Sequence, residues 1–458
     1  MRKFVLAFTI IVLCIIYKAV LVHAIIFPDM KMSSTPNPVG SGARALGIGG
    51  AFISIADDAT AASWNPGALL NLTKPEMSIV GSYYIGRFKY ETLSIDERID
   101  DLSHGQWRLN YFSAVIPFIL FRRNTVFSLN YQHLYEFSKD TLSVFPYRFE
   151  EPDTGAIIAD IPGMTSRKMQ KGALTTLSPA FAIQIIPSLY IGVTANLWLD
   201  KPINNYWENL NIVEGEGTSL GKRIEKYAEL YERYEFSGLN IFDFDCFNVN
   251  LGFLWKPGPR FSLGGVIKTP FKASLRHNFQ HSFIDEYPND PNQNNYSSYT
   301  LRENLTLKMP VSYGLGCSFR FSDNFLMALD LYRTHWEDYL ISYPSGEKIS
   351  PINNKAKHEA DIQNITQIRL GAEYLVYYRQ QIFPLRAGIF YDPEPASGSA
   401  DDFYGVSLGS GFLLKNSVFD IAYQYRFGEK KDAESLVNQK ISSNVRQHYL
   451  YSSIIFYY

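Results

Sequence analysis

The sequence predicts an all-β protein: a 14-stranded antiparallel transmembrane β-barrel with an N-terminal plug of chain in its lumen. Three observations carry this reading. Charged residues make up only 19% of the 458, while Tyr and Phe number 31 and 32, which suits a barrel with an apolar belt and aromatic girdles. From Met77 onward apolar residues alternate with polar or small ones, the period of a strand. The connections between these strands alternate between short turns and long loops, so that tight turns gather on one rim and long loops on the other. A soluble sandwich also alternates but has no reason to segregate its loops by length. The formal net charge of −2 leaves no electrostatic footprint for nucleic acid.

In chain order, the first element is an export signal over residues 1–24. Arg2 and Lys3 form its charged start, Phe4 to Tyr17 its apolar core, and Val22-His23-Ala24 a small-residue cleavage site. Lys18 leaves the run too short for a membrane helix. Cys14 does not mark a lipoprotein, because Leu13 stands where a small residue is needed. Export permits disulfides. The strand pattern, however, puts Cys246 and Cys317 on non-neighbouring strands and opposite faces, so both are expected to be free.

The second element, residues 25–75, is the plug. Its centre, Gly40 to Leu72, is too rich in small residues for a strand and too rich in glycine for a stable helix. Gly47, Gly49 and Gly50 allow close packing against a wall and unusual dihedrals. Asp57 or Asp58 is expected to cap the Ala59–Ala62 turn or to pair with a lumen arginine. Asn65-Pro66-Gly67 is a turn that ends the plug and launches the first strand.

The third element, residues 76–458, is the barrel. Val311, Tyr313, Leu315, Cys317, Phe319 and Phe321 share one face, and Ser312, Gly314, Gly316, Ser318 and Arg320 the other. Strands are expected to start near Met77, Gln106, Arg123, Gly172, Ser188, Asn240, Arg260, Arg302, Asn324, Gln363, Ile382, Tyr404, Ser417 and Arg446. The long connections are 140–171, 201–239, 278–301 and 337–362. In Ser219–Tyr234, Ile224, Tyr227, Leu230, Tyr231 and Tyr234 recur at helical spacing, which predicts an amphipathic helix serving as a lid or as the wall of an external groove. Pro179 removes a ladder donor inside a strand and marks an expected kink in the wall; Pro270 sits near another strand's end. Phe456 and Tyr458 are expected to face outward in the aromatic girdle.

Arg108, Lys268, Arg320, Arg369 and Arg386 fall on lumen faces, as do Asp330, Glu373, Asp392 and Asp420. Most are expected to form an internal ion-pair network. One of the cations could instead meet a ligand carboxylate through charge-assisted hydrogen bonds; which one is left open. No metal-ligand spacing, phosphate loop or nucleophile elbow occurs, and Gly409-Ser410-Gly411 is too short a match. Neither an enzyme, a cofactor nor a metal is expected.

Several segments resemble the FadL/TodX family of outer-membrane hydrophobic-compound transporters. The plug-like elements are Gly42-Ala43-Arg44-Ala45-Leu46-Gly47-Ile48-Gly49-Gly50-Ala51, Ala56-Asp57-Asp58-Ala59 and Trp64-Asn65-Pro66-Gly67, although Gly67 stands where the family usually has Ala. Pro310 to Tyr332 is similar to one of its hairpins. Arg369-Leu370-Gly371-Ala372-Glu373-Tyr374 and Leu385 to Pro393 are similar to another. The resemblance runs in order over most of the chain after the signal. It implies a monomeric barrel in the outer membrane of a bacterium and a movable hatch. It also implies passive transport of long-chain fatty acids or other hydrophobic molecules, which land in an external groove and leave laterally into the membrane lipid. The same plug pattern occurs in PorV-like barrels that serve as shuttles or docking partners in protein secretion. A general diffusion porin is the third reading, and it requires an open polar lumen.

Overall fold

A sheet that crosses lipid must leave no backbone donor or acceptor unpaired, so it has to close on itself. In the computed structural model the strands do so. The structure describes residues 39–458 apart from 93–97, 102–105, 151–156, 202, 204, 244, 380 and 434–440. The export signal of residues 1–24, Cys14 and the first part of the plug segment lie outside the described residues.

In chain order the first strands are β1 (Glu76–Thr92), β2 (Arg98–Asp101), β3 (Gln106–Leu120), β4 (Arg123–Glu136), β5 (Lys139–Glu150), β6 (Ile157–Ile186) and β7 (Leu189–Leu197). Next come β8 (Tyr206–Ser219), β9 (Lys222–Phe236), β10 (Phe247–Trp255), β11 (Phe261–Lys268), β12 (Phe271–Glu286), β13 (Asn295–Met309) and β14 (Ser312–Ser322). The last are β15 (Phe325–Thr334), β16 (Leu340–Ser342), β17 (Lys348–Ile349), β18 (Ile365–Tyr378), β19 (Gln381–Tyr391), β20 (Phe403–Leu414), β21 (Ser417–Ala433) and β22 (Ile441–Tyr457).

Fourteen of these form the wall, each antiparallel to the next: β1, β3, β4, β6, β7, β10, β11, β14, β15, β18, β19, β20, β21 and β22. β22 pairs with β1 from Glu76↔Tyr457 to Thr92↔Ile441 and closes the barrel. The expected count of strands is met. Three starts are corrected. The strand expected near Asn240 begins at Phe247, Arg302 belongs to β13, so the next wall strand begins at Ser312, and the strand expected near Arg446 begins at Ile441.

The inside–outside alternation follows the sequence. On β14, Tyr313, Leu315, Phe319 and Phe321 are exposed outward, while Ser312, Gly314, Gly316 and Ser318 are buried. Cys317 lies on this strand and Cys246 just before β10; both are free.

The long connections are not loops. β2, β5, the first half of β6, β8, β9, β12, β13, β16 and β17 pair in that order into an extension above one rim. The expected amphipathic helix over Ser219–Tyr234 is therefore incorrect: Ser219 ends β8, and after a turn Lys222 to Tyr234 fall on β9, paired to β8 on one side and β12 on the other. Ile224, Leu230, Glu232, Tyr234 and Phe236 are buried and Tyr227 and Tyr231 only half-buried. The stretch carries apolar residues at both period 3.6 and period 2. Two neighbouring strands with free edges supply every backbone partner and select the strand, as tertiary context overrides local pattern. The lid is thus a sheet.

β6 joins the two parts. Near Gly172 it leaves β5 and β8 and enters the wall between β4 and β7. Gly172 has φ 120 there, a dihedral that side chains resist. Pro270 sits where the chain passes from β11 in the wall to β12 in the extension.

Leu329 faces lipid at the middle of β15, between Cys317 and Leu370. Leu329→Arg is expected to destabilise the barrel by about 2–4 kcal/mol, the range for a cation at mid-bilayer. Reversible unfolding from vesicles by denaturant measures this, and an unchanged midpoint would mean that the outward face is assigned wrongly.

Candidate functional site

Residues 39–72 lie against the inward side of the wall. They make two short helices, α1 (Ala43–Gly47) and α2 (Ala61–Trp64), and a 3-10 turn (Pro66–Asn71). Helices this short are not stable alone; packing holds them. Phe52 and Trp64 meet edge to face at 5.7 Å, and Trp64 Nε1 donates to the Ser41 carbonyl at 2.7 Å. Gly49 and Gly50 take φ 72 and 76 as the chain turns back after α1. Asp58 accepts from Thr60 N and Oγ1 at 2.8 and 2.5 Å, forming a local turn ahead of α2. Asn65 Oδ1 accepts from Gly67 N at 3.0 Å and caps the 3-10 turn, while its Nδ2 donates to the carbonyls of Ile53 and Phe253.

The wall receives this segment on inward glycines. A methyl group at Gly388 would come within 2.5 Å of Gly49 Cα, and one at Gly409 within 2.8 Å of Gly47 Cα. One at Gly264 would meet the Ile53 carbonyl oxygen at 2.6 Å, and one at Gly252 would meet Pro66 Cδ at 2.7 Å. Cross-strand pairing sets several of them side by side: Gly192↔Gly252, Gly264↔Gly316 and Gly371↔Gly388.

Hydrogen bonds complete the seat. One oxygen of Asp330, Oδ2, accepts from Phe52 N at 2.7 Å and from Ile53 N at 2.8 Å. Wall side chains donate to carbonyls of the segment: Arg369 to Gly49, Ser407 to Gly47, Gln424 to Leu46, Ser113 to Ala59 and Thr194 to Ala62.

Charges in the lumen are cross-tied. Arg44 pairs with Asp57 and, through two bonds of 3.0 Å, with Glu373. Glu373 also holds Arg386, which reaches Asp420 at 2.6 Å. Further along β18 and β21, Arg369 and Arg426 share Asp392, and Arg426 and Lys430 share Glu394. In a site this dry, leaving one partner alone would cost about 3–5 kcal/mol.

Two cavities lie within the barrel. One encloses about 570 Å³, mouth included, and is lined by amides of Gln132, Asn196, Asn248 and Asn250 together with Tyr135, Trp198, Phe271, Tyr332 and Trp336. Trp198 stacks on Phe271 at 5.1 Å. Lys268 also lines this cavity: its Nζ donates to the Val39 carbonyl at 2.9 Å and stands 5.4 Å from the Tyr332 ring centre. The second cavity, about 600 Å³, is polar and is lined by Arg369, Asp392, Gln424 and Arg426 beside Val39 to Ser41.

The five cations named from the sequence therefore separate. Arg386 and Arg369 sit in the buried ion-pair chains, Arg108 pairs with Glu136 at 3.0 Å, and Arg320 lies next to the Ser322-Asp323-Asn324 turn, its guanidinium near the Asp323 carbonyl. Lys268 lines the aromatic cavity, where its ammonium group bonds to a backbone carbonyl and not to a carboxylate of the described residues. Asp57 meets Arg44, while Asp58 serves a turn. Ile224, Tyr227, Leu230 and Tyr231 lie on β9 in the extension. At Pro179 the ladder to β4 is continuous, from Thr125↔Ile183 to His133↔Thr175. On the β7 side it passes from Leu177↔Leu197 to Ala180↔Thr194 without a change of register, leaving Ser178 and Pro179 unpaired there. Asn130 Nδ2 donates to the Ser178 carbonyl at 2.7 Å.

The wall glycines and the asparagines of the cavity were not singled out from the sequence. The glycines were legible in principle, as small residues on lumen faces of strand after strand. The asparagines converge only once the barrel closes.

The sequence model of the family described as "Outer membrane protein transport protein (OMPP1/FadL/TodX)" matches residues 37–456. No curated protein matches the chain in sequence. Among solved structures, a FadL homologue of Pseudomonas aeruginosa superposes with TM-score 0.58 at 14% identity, covering 91% of this chain and 98% of that one. The Pseudomonas putida toluene transporter TodX gives 0.54 at 13%, covering 93% and 100%. The monoaromatic hydrocarbon channel CymD gives 0.52 at 15%, covering 92% and 98%.

Asp330→Ala would strand the Phe52 and Ile53 amides, at about 1–3 kcal/mol for each buried group left unpaired. Hydrogen exchange at residues 50–55 is expected to accelerate while that of the wall strands holds. Unchanged protection would mean that Asp330 does not anchor the segment.

Proposed function

The chain belongs to the outer membrane protein transport protein family, and on that premise we propose that it lets hydrophobic small molecules cross the outer membrane of a bacterium passively. The observation that carries this is the aromatic cavity beside the inner segment, lined by Trp198, Phe271, Tyr332 and Trp336. A cavity with an apolar wall and a few convergent polar groups suits a small ligand with one polar end. The inner segment acts as a hatch in this reading. Its many bonds to the wall argue against a general diffusion porin, which requires an unobstructed lumen. The exit is lateral, at the gap in the β6–β7 ladder around Ser178 and Pro179, into the surrounding lipid. The barrel works as a monomer.

Two ligand classes follow from two features. The aromatic wall favours hydrocarbons such as aromatics, in keeping with the similar folds of a toluene transporter, TodX, and a monoaromatic hydrocarbon channel, CymD. Lys268 favours molecules ending in a carboxylate, long-chain fatty acids among them, since it lines the cavity with a backbone carbonyl and a ring as its neighbours.

Uptake by cells or proteoliposomes separates the classes. Lys268→Met is expected to lower fatty-acid uptake about tenfold, as for loss of a charge-assisted hydrogen bond, and to leave toluene uptake unchanged. Equal losses of both would make Lys268 a support for Val39 and not a ligand contact. If neither compound enters faster with the protein than without it, the transport reading fails.

A further inference from the structure

The inner face of the extension carries one cluster that transport does not use. Trp207 on β8, Tyr234 on β9, His277 on β12 and Glu303 on β13 lie in register across four strands. Their rings form a column: Trp207 stacks on Tyr234 at 4.9 Å and 12°, and Tyr234 on His277 at 4.3 Å and 8°. His277 Nδ1 is 3.0 Å from Glu303 Oε1, and its Nε2 is 3.6 Å from Glu232 Oε1. The side chains of His277 and Glu232 are 5% and 1% exposed.

Both ring nitrogens thus face carboxylates. A neutral imidazole donates from one nitrogen only and offers a lone pair from the other. One of the two acids would then meet a lone pair, in a site where His277 and Glu232 are shut off from water. The imidazolium donates to Glu303 and sets its second N–H toward Glu232 at an ion-pair distance of 3.6 Å, and the Tyr234 ring lies against its face, where a cation is favoured.

The groups around it are mostly acidic or neutral. β9 contributes Glu232 and Tyr234, β13 contributes Glu303, and β8 contributes Trp207. On β12 itself, His281 lies further along the same face, and burial pushes its pKa down. Beyond it Lys226 is already paired with Asp285 at 3.1 Å. The turn between β16 and β17 brings Tyr343 and Glu347. β16 pairs with β13 through Thr306↔Ser342, which brings this turn to the strand that carries Glu303; burial, then the charges of Glu232, Glu303 and Glu347, push the Tyr343 hydroxyl up to about 12.

We propose that His277 is a proton-operated latch. Protonated, it ties β9, β12 and β13 together and holds the 343–347 turn in place. Deprotonated, it leaves the buried Glu232 and the half-buried Glu303 without a cation and loosens that region. Tyr343 packs against the aromatic cluster that includes Trp198, Phe271 and Trp336, so the latch secures the roof of the aromatic cavity.

The direction of titration agrees with the geometry. Burial pushes the imidazole down, but hydrogen bonds to Glu232 and Glu303 and their charges outweigh it and raise its pKa. A group raised in the folded state stabilises fully below its unfolded value, about 6.5 for imidazole. That contribution is lost as pH rises through the folded value.

The test uses the whole protein in lipid nanodiscs and does not depend on transport. Histidine NMR follows His277, and hydrogen exchange compares β9, β12 and β13 with wall strands β14 and β15 at each pH, which cancels the intrinsic effect of pH on exchange. His277 is expected to titrate above the ordinary imidazole value. Through the same window the extension strands are expected to lose protection relative to the wall roughly tenfold, equivalent to about 1.4 kcal/mol of opening free energy. His277→Gln should abolish this pH dependence, and Glu303→Gln should move the window to lower pH. A flat profile in the native protein, or a window that Glu303→Gln leaves in place, overturns the latch. If His277→Gln does not fold, the direction of the Glu303→Gln displacement decides alone.

Discussion

The wall of this barrel and the chain inside it meet backbone to backbone. Gly388 faces Gly49, Gly409 faces Gly47, and Gly192 faces Pro66 so closely that a methyl group would not fit. Everything else in the lumen is arranged around that contact. Side chains on the wall would hold the segment away and leave voids, which cost stability as lost dispersion contacts. With glycines on both surfaces the segment lies close enough for wall side chains to reach its carbonyls, as Arg369, Ser407 and Gln424 do. Close packing thus makes polar satisfaction geometrically available.

The same arrangement divides the lumen by chemistry. Where the segment touches the wall, charges are consumed in chains such as Asp57–Arg44–Glu373–Arg386–Asp420. Above it, the aromatic cavity keeps one lysine and a row of amides. Asn130, Ser178, Asn196 and Asn250 are linked in sequence by hydrogen bonds of 2.7–3.0 Å. These bonds satisfy inward polar groups on β4, β6, β7 and β10, including the carbonyl of Ser178 beside Pro179. A break in a membrane ladder is tolerable only where the freed group finds a partner inside the protein, and Asn130 supplies it.

The extension repeats the logic of the wall outside it. Its strands continue or follow wall strands, and the changeovers fall at residues suited to breaking a ladder. Gly172 takes a positive φ, and Pro270 has no donor to lose. The result is a sheet with an aromatic inner face, Phe137, Trp207, Tyr234 and Phe236 among it, that covers the cavity.

The wall follows from the order of amino acids alone. Period-two alternation, turn spacing and aromatic content fix which residues face lipid, because a one-residue slip would turn every side chain to the wrong side. Hence the count of fourteen and the outward face of β14 were legible, as was the compact Gly-rich segment before β1. What the long connections become depends on folded neighbours. Ile224 to Tyr234 fits two periods, and only the free edges of β8 and β12 choose between them. Folded neighbours also settle which cation lines the aromatic cavity. Arg108, Lys268, Arg369 and Arg386 look alike on their strands, and only three-dimensional contacts show that carboxylates occupy three of them. Pairing of charges depends on contacts between strands, which no local pattern encodes.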